Sequence, residues 1–107
     1  MSQPSAPDFL YLTTTGWRTG KQHEIEIWFT ELDGCYYLIS EGGRRAHWVQ
    51  NLRRHPPVTF RFGRRSFQGN GRVVDPKREP ELQAAVCQLS ISKYDWGEGL
   101  VVELRPD

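Results

Sequence analysis

The sequence lacks several features that would assign the protein to a membrane, a secretory route or a nucleic acid. No apolar run approaches the roughly 20 residues of a membrane-spanning helix, and the N-terminus has no apolar run of the signal-peptide kind. The formal net charge is only +1, so no overall field attracts nucleic acid or an anionic membrane. These absences predict a small cytoplasmic protein without a transmembrane segment.

Cysteine and histidine are also sparse. Cys35 and Cys87 are far apart, in neither a metal-ligand nor a redox spacing, and we expect both to be packing residues in a reducing compartment. His23, His47 and His55 have no ligand spacing, so no metal site is predicted. No serine lies in a G-x-S-x-G context and neither cysteine has a neighbouring histidine. Any chemistry is therefore expected to belong to a bound cofactor.

Internal repeats and low-complexity tracts are absent as well, and no boundary divides the chain. What recurs instead is short runs of β-branched and aromatic residues between glycine-containing turns, a pattern typical of antiparallel strands. Six strands are predicted, at residues 9–15, 22–30, 35–41, 58–62, 66–75 and 100–104.

Two helices interrupt these strands. A short one is predicted at about residues 45–54, before the Pro56-Pro57 stop, and a longer one begins near Pro80, where Leu82 and Val86 recur at helical spacing. Hairpin connections and glycine kinks in a chain of 107 residues favour a mainly β (α+β) single domain over residues 1–107, built as a small closed or split barrel. Residues 1–8 are expected to be a flexible lead-in.

The predicted core follows from the inward positions of these elements. In the short helix, Trp48 and Leu52 are expected to face inward, while His47, Asn51 and Arg54 form a second face. Burial is predicted for Leu10, Leu12, Ile25, Ile27, Phe29, Leu38, Val58, Phe60, Val73, Leu82, Val86, Leu89 and Val102.

The stretch at residues 36–52 holds the first candidate site. A strand ends at Gly42-Gly43, the basic pair Arg44 and Arg45 follows, and a helix then begins. Free backbone N–H groups and positive charge at such a place suit an anion, and a phosphate is the anion expected. The alternative is an ordinary strand-to-helix connection whose arginines face water.

A second candidate site lies in the first turn. Trp17, Arg18, Lys21 and His23 fall in or just after it, and a curled sheet would bring this turn to the same rim as Gly42-Gly43, which would form a basic cup. Arginine suits phosphate because its planar fork can bond two oxygens at once. The alternative is a solvated turn.

Two other patterns point to weaker hypotheses. Glu24 and Glu26 are neighbours on one strand face, but nothing in the sequence would shift their pKa for acid–base work, so surface or dimer-contact roles are preferred. A small barrel carrying Arg61, Arg64 and Arg65 could bind nucleic acid. That hypothesis is disfavoured because the neighbouring aromatic residues are expected to point inward.

Several motifs together resemble those of the deazaflavin-dependent nitroreductase family. They are L-T-T-T-G-W-R-T-G at residues 12–20, I-W-F at 27–29, S-E-G-G at 40–43, and W-V-Q-N-L at 48–52 followed by Pro57-Val58. The resemblance covers about residues 10–104. It implies a split β-barrel, often dimeric, that holds coenzyme F420, a deazaflavin, and transfers hydride to quinones, nitro compounds or other small acceptors. FMN is the alternative cofactor.

The resemblance also implies which residues contact the cofactor. The phosphate and acidic tail would be faced by Arg18, Lys21 and His23. The ring would lie along Glu26, Ile27 and Trp28. The cradle for ring or phosphate would be Ser40, Glu41, Gly42 and Gly43, and the pocket would be closed by Trp48 and Asn51.

Departures from the family pattern affect the remaining site residues. Glu41 stands where nitroreductases carry a lysine, and Arg44 or Arg45 is expected to replace that charge. His47 replaces an apolar residue, and the shortened region after the long helix leaves Tyr94 and Trp96, so these three are the substrate candidates. A homodimer is expected, with the pocket at or near the interface. A non-catalytic protein of the same fold that binds the cofactor, a tetrapyrrole or a fatty acid is the alternative to an enzyme.

Overall fold

The structure is a computed structural model that describes residues 8–107. Most of the predicted lead-in, residues 1–7, lies outside the described residues. The described chain forms one seven-stranded antiparallel sheet and two α-helices. The strands are β1 (Phe9–Thr15), β2 (Gln22–Trp28), β3 (Thr30–Leu32), β4 (Cys35–Ser40), β5 (Pro57–Phe62), β6 (Arg65–Val73) and β7 (Leu100–Pro106). The helices are α1 (His47–Arg54) and α2 (Pro80–Tyr94).

The predicted count of six strands is wrong by one, because the chain at residues 22–30 is broken at Phe29. β2 pairs with β1 as far as Trp28, and β3 begins its pairing with β4 at Thr30. The backbone of Phe29 bonds to α2 instead. Its N–H donates to Tyr94 Oη at 3.0 Å, and its carbonyl accepts from Lys93 Nζ at 2.9 Å.

The strand order explains why the sheet curls. The order is β2-β1-β5-β6-β7-β4-β3, so β2 and β3 are at opposite edges although only Phe29 separates them in the chain. A flat sheet could not join its two edges through one residue. The sheet therefore bends into a half-barrel in which β2 approaches β4. This agrees with the predicted split barrel of antiparallel strands.

The barrel core combines aliphatic residues with four aromatic ones. Phe29, Tyr36, Phe60 and Phe62 are buried, with the Phe29 and Phe62 ring centroids 4.8 Å apart and those of Tyr36 and Phe60 5.5 Å apart. Such pairs add to the free energy gained by burial alone. A second cluster lies against α2, which contributes Val86.

Most of the predicted core is confirmed, but part of it is only half-buried. Leu10, Leu12, Phe29, Leu38, Val58, Phe60, Val86 and Val102 are buried as predicted. Ile25, Ile27, Val73, Leu82 and Leu89, which were also predicted to be largely buried, are partly buried. Ile25 and Ile27 belong to β2, an edge strand with a neighbour on one side only, so the sheet covers them incompletely.

Helix α1 differs from its prediction in its start and in its inward face. Residues Gly43–Arg45 form a 3-10 turn, and the α-helix begins at His47. Val49, Asn51 and Leu52 are its buried residues, whereas Trp48 is half-buried. The Asn51 amide can be buried because its Nδ2 has a hydrogen-bond partner: it donates to Thr14 Oγ1 on β1 at 3.3 Å.

Gly71 sets how closely α1 approaches the sheet. A Cβ atom on Gly71 would overlap Leu52 Cδ1, so only glycine leaves room for the leucine side chain. This contact and the Asn51–Thr14 bond fix the helix over β1 and β6, where its first turn can border a binding groove.

Candidate functional site

A groove of about 610 Å³ lies between the end of β2 and the end of β4, and we call it the first groove. Its aromatic lining comes from four separate segments of the chain, namely Phe9, Trp28, Trp48 and Trp96. The rest of its lining combines small and apolar positions with two carboxylates, namely Ile27, Ile39, Ser40, Gly42, Ala46, Glu26 and Glu41. Its walls therefore suit a planar ring, and no basic side chain among residues 8–107 lines it.

The Trp28 ring, which forms one wall of the first groove, is supported by Tyr94 on the side away from the groove. The two rings are stacked with centroids 4.5 Å apart and planes 3° apart, and Trp96 meets Trp28 edge-on at 6.0 Å. Tyr94 Oη is occupied by backbone groups, because it accepts from Phe29 N–H and contacts the carbonyl oxygens of Phe29 and Asp8. Burial raises the pKa of the Tyr94 phenol. Tyr94 therefore supports the groove wall and does not line the groove.

The turn after β4 forms the other side of the first groove. Ser40 Oγ donates to the Gly43 carbonyl at 2.9 Å and so closes the turn. Gly43 has φ +61°, a conformation that favours glycine. Glu41 and Gly42 are exposed on the turn and line the groove. Ser40 is thus engaged in holding the turn, while Gly42 offers backbone alone to a ligand.

A second groove, of about 570 Å³, lies beside the first and shares Trp48 with it. Its side chains are mostly polar or basic and include Arg18, His23, His47, Gln50 and Asn51, together with Trp17 and Glu24. The first turn of α1 lies between the grooves, because Ala46 lines the first and His47 the second. Within this turn the N–H groups of Val49 and Gln50 both donate to the Ala46 carbonyl at 3.1 Å, so the donors left where the grooves meet are the N–H groups of His47 and Trp48.

The β1–β2 turn places Arg18 and His23 in the second groove. Gly16 N–H donates to the Lys21 carbonyl at 2.7 Å, and Gly20 N–H donates to the Gly16 carbonyl at 2.8 Å. A Cβ atom on Gly16 would lie 3.2 Å from His23 Nε2. The glycine therefore allows the histidine to pack over the turn, which gives the T-G-W-R-T-G motif a structural reason.

The structure brings together many of the predicted site residues, but it divides them between two grooves. Eight line the first groove, namely Glu26, Ile27, Trp28, Ser40, Glu41, Gly42, Trp48 and Trp96. Arg18, His23, His47, Asn51 and again Trp48 line the second groove. Lys21, Gly43, Arg44 and Arg45 line neither, and Tyr94 lies behind Trp28. The second groove thus joins the first turn to α1, whereas the predicted basic cup joined the first turn to Gly42-Gly43.

Sequence reasoning missed several residues that line the grooves. Phe9 lies in the first groove because it pairs with Trp28 across the β1–β2 hairpin. Counting the hairpin register outward from its turn could have found it. Ile39 and Ala46 lie next to predicted site residues. Trp17 was placed in the basic cup but not among the cofactor contacts, and it lines the second groove.

A buried carboxylate lies apart from both grooves. Glu103 on β7 accepts from Tyr37 Oη at 2.9 Å and from Arg72 Nε at 3.0 Å. Arg72 also bonds both oxygens of Glu79, at 2.7 and 2.9 Å. Burial and the bond to Glu103 raise the pKa of the Tyr37 phenol. With its charge paired in this way, Glu103 ties β7 to β4 and β6 and has a structural role.

This chain is similar in sequence to known proteins. A sequence model of the F420H(2)-dependent quinone reductase family matches residues 2–99. The chain belongs to this family. The resemblance to deazaflavin-dependent reductases is thereby confirmed. A relative named as an F420H(2)-dependent quinone reductase, from Mycobacterium tuberculosis (strain ATCC 25618 / H37Rv), is 35% identical over 77 residues. The match covers 68% of this chain and 51% of the relative, so the chain spans about half the length of that protein.

Solved structures confirm the split-barrel fold of this family member. An F420-H2 dependent reductase (FDR-A) superposes with a TM-score of 0.69 at 19% identity, covering 97% of this chain and 98% of the other. A Listeria innocua protein named for pyridoxamine 5'-phosphate oxidase has a TM-score of 0.67 at 16% identity, covering 94% and 84%. At such identities the likeness concerns the fold alone. Over residues 8–107, no helix is both long and apolar enough to cross a membrane.

Proposed function

We propose that the protein is an F420-dependent oxidoreductase that transfers hydride between the reduced cofactor and a quinone, nitro or similar small acceptor. The observation that carries this proposal is the pairing of two grooves of opposite character at Trp48. In the part of the chain that the structure describes, one has aromatic walls and no basic side chain, and the other carries Arg18, His23 and His47. A ligand that joins a planar ring to a phosphate would use both.

The residues present fit such a cofactor. The ring would lie in the first groove against Trp28 and Trp48, since aromatic faces bind planar rings by stacking. Gly42 would allow close approach of the backbone to the ring edge. The phosphate would lie in the second groove, where Arg18 would donate from one side and the N–H groups of His47 and Trp48, at the start of α1, from the other.

When bound, the reduced cofactor would supply the hydride, and the protein's own residues would orient and shield it. The Trp48 side chain, between the two grooves, would fix the angle between ring and phosphate. Trp28 and Trp96 would exclude water from one end of the ring, and a flat acceptor would stack there. Among residues 8–107 this mechanism asks for no protein nucleophile.

Glu41 bears on the placement of the phosphate. Its carboxylate lines the first groove, where it would repel a phosphate at the Gly42 turn. The negative charge therefore favours the second groove for the phosphate and leaves the first groove to the ring and the acceptor.

We also propose that the working form is a homodimer with the grooves near its interface. Phe9 and Trp28 in the first groove, and Trp17 in the second, are exposed large hydrophobic residues. The exposed edge strand β2 carries residues of both grooves. A second copy covering β2 would shield this apolar surface and restrict water at the ring.

Titration of the purified protein with F420 and, in parallel, with FMN tests the proposal, with ligand fluorescence as the readout. We expect F420 to bind and the bound reduced form to be oxidised by a quinone. Tight binding without turnover by quinone or nitro acceptors would identify a carrier. Tighter binding of FMN would identify FMN as the cofactor. If neither F420 nor FMN bound, the oxidoreductase assignment would be refuted.

A further inference from the structure

We infer that Trp17, Arg18 and Arg54 form a clamp for the anionic chain of the ligand, at the second groove. This inference rests on the proposed function and deepens it, since it adds Trp17 and Arg54 to the residues that select the cofactor. The ligand chemistry is a chain with two or more anionic oxygen groups, phosphate or carboxylate, attached to the ring that occupies the first groove.

The geometry of the clamp joins two distant parts of the chain. Arg18, in the β1–β2 turn, has its Cζ atom 4.6 Å from the centroid of the Trp17 ring. Arg54, in the last turn of α1, has its Cζ atom 4.7 Å from the same centroid. The indole thus holds two guanidinium groups at once, and it lines the second groove. Stacking over a ring leaves the N–H edges of a guanidinium available to an anion.

The charges of the clamp are not neutralised within the described chain. Ion pairs among residues 8–107 engage Arg61, Arg72 and Arg105, whereas no carboxylate lies within 4.0 Å of Arg18 or Arg54. Glu24 lines the same groove, but its carboxylate is paired with Arg61 at 3.5 Å. Each guanidinium therefore keeps its charge for a ligand, and a chain with two anionic groups would engage both. The clamp therefore favours multiply charged ligands over singly charged ones.

Trp17 is the positioning residue of this clamp. A flexible arginine side chain loses conformational entropy when it is fixed on a ligand, and stacking on the indole removes part of that cost beforehand. Leucine at position 17 would leave the groove apolar but would release both arginines. Its effect on binding would then resemble the loss of Arg54 without any change in charge.

The test uses the full chain with three variants, Trp17→Leu, Arg54→Gln and the matched control Arg53→Gln. Arg53 precedes Arg54 on α1 but is not among the cations that lie over the Trp17 ring. Binding is measured for F420, for the deazaflavin ring 5'-phosphate, and for the deazaflavin ring compound without phosphate. A fourth probe, inorganic tripolyphosphate followed by isothermal titration calorimetry, tests the clamp independently of any cofactor.

We expect Arg54→Gln and Trp17→Leu to weaken F420 and tripolyphosphate binding roughly 5- to 30-fold at low salt. Binding of the ring compound without phosphate should stay unchanged, and Arg53→Gln should alter none of these affinities beyond about twofold. An equal loss for the ring 5'-phosphate and F420 would identify the phosphate as the group held. A loss confined to F420 would identify its carboxylates, and either result supports the clamp.

Unchanged tripolyphosphate and F420 binding in Arg54→Gln and Trp17→Leu, with melting temperatures equal to the parent's, would overturn the inference while leaving the proposed function intact. Conversely, a parent protein that binds tripolyphosphate through Arg54 but binds no deazaflavin would support the clamp and refute the proposed cofactor. Equal losses in Arg53→Gln and Arg54→Gln would show diffuse attraction in place of a clamp and would also overturn it.

Discussion

Trp28 and Tyr94 stack with their ring planes 3° apart, although one ends β2 and the other ends α2. The tyrosine hydroxyl is meanwhile bonded to both backbone groups of Phe29. One side chain thus fixes the end of α2, the break between β2 and β3, and the aromatic wall of the first groove.

Removal of this support should affect acceptor binding more than cofactor phosphate binding. We expect Tyr94→Leu to raise the KM for a quinone acceptor several-fold, because Trp28 loses its stacking partner, worth about 0.5–1.5 kcal/mol. Tyr94→Phe keeps the stack and should retain the parent KM, while the free energy of unfolding falls by about 1 kcal/mol from the lost hydrogen bonds. Steady-state kinetics and urea unfolding measure both. If Tyr94→Phe alone abolished turnover, the hydroxyl would act on the substrate directly.

The two candidate phosphate sites predict opposite results for two sets of variants. Arg18→Gln should weaken F420 binding by about ten- to a hundred-fold, because Arg18 lines the second groove and a charge-assisted bond contributes roughly 1.5–3 kcal/mol. The double variant Arg44→Gln with Arg45→Gln should change binding less than threefold, because neither residue lines a groove. Fluorescence titration at low salt measures both. The reverse order of effects would restore the phosphate to the Gly42-Gly43 turn that the sequence suggested.

Gly71→Ala and Gly42→Ala form a matched pair of variants that tests how tightly α1 packs on the sheet. Gly71→Ala should lower the free energy of unfolding by about 1–3 kcal/mol, because the added methyl group would overlap Leu52. Gly42→Ala should be tolerated, since the nearest atom to its added Cβ would be Ala46 Cβ at 3.8 Å and its φ of −75° is ordinary for alanine. Denaturant unfolding measures the free energy of unfolding of both variants. Equal stabilities would mean that α1 can shift away from β6 at little cost.

The stability of the fold should decrease in strongly alkaline solution. The folded state holds the Tyr37 proton more tightly than the unfolded chain, because burial and the bond to Glu103 raise its pKa above the ordinary 10.0. That contribution is fully present below about pH 10 and is lost as the pH rises further. Burial also raises the pKa of Tyr36 and Tyr94, in the same direction.

Tyr37→Phe provides the test of this pH dependence. At neutral pH the variant should be less stable by about 1–3 kcal/mol, because Glu103 loses a donor while remaining buried. Between pH 9 and 11 its melting temperature should fall less steeply than the parent's. Parallel curves for the two proteins would assign the alkaline loss to other groups.

Local signals predicted the hairpins of this fold well. An Asp-Gly pair is typical of the left-handed positions of a hairpin turn, and Asp33 and Gly34 have φ of +53° and +80°. Such turns are encoded within a few residues. The break at Phe29 could not be predicted in the same way, because its hydrogen-bond partners are Tyr94 and Lys93, which only the folded chain brings near.

The candidate site was predicted in composition better than in arrangement. Its motifs contain most of the residues that line the two grooves, but adjacent residues are divided between them. Ala46 lines the first groove and His47 the second, because the first turn of α1 lies between the grooves. A helix of eight residues has too few turns for its apolar pattern to fix its rotation. The contacts of Asn51 and Leu52 with the sheet determine that rotation.

The strand order also has a consequence for biosynthesis. Among the described strands, β4 is bonded only to β3 and β7, so the β3–β4 hairpin joins the sheet solely through a strand made after α2. While a ribosome is still synthesising β7, this hairpin has no strand edge of the sheet to pair with. Such non-local pairing is slow and exposes a nascent chain to aggregation. The first groove, which needs β4 as one of its walls, is therefore among the last parts of the molecule to form.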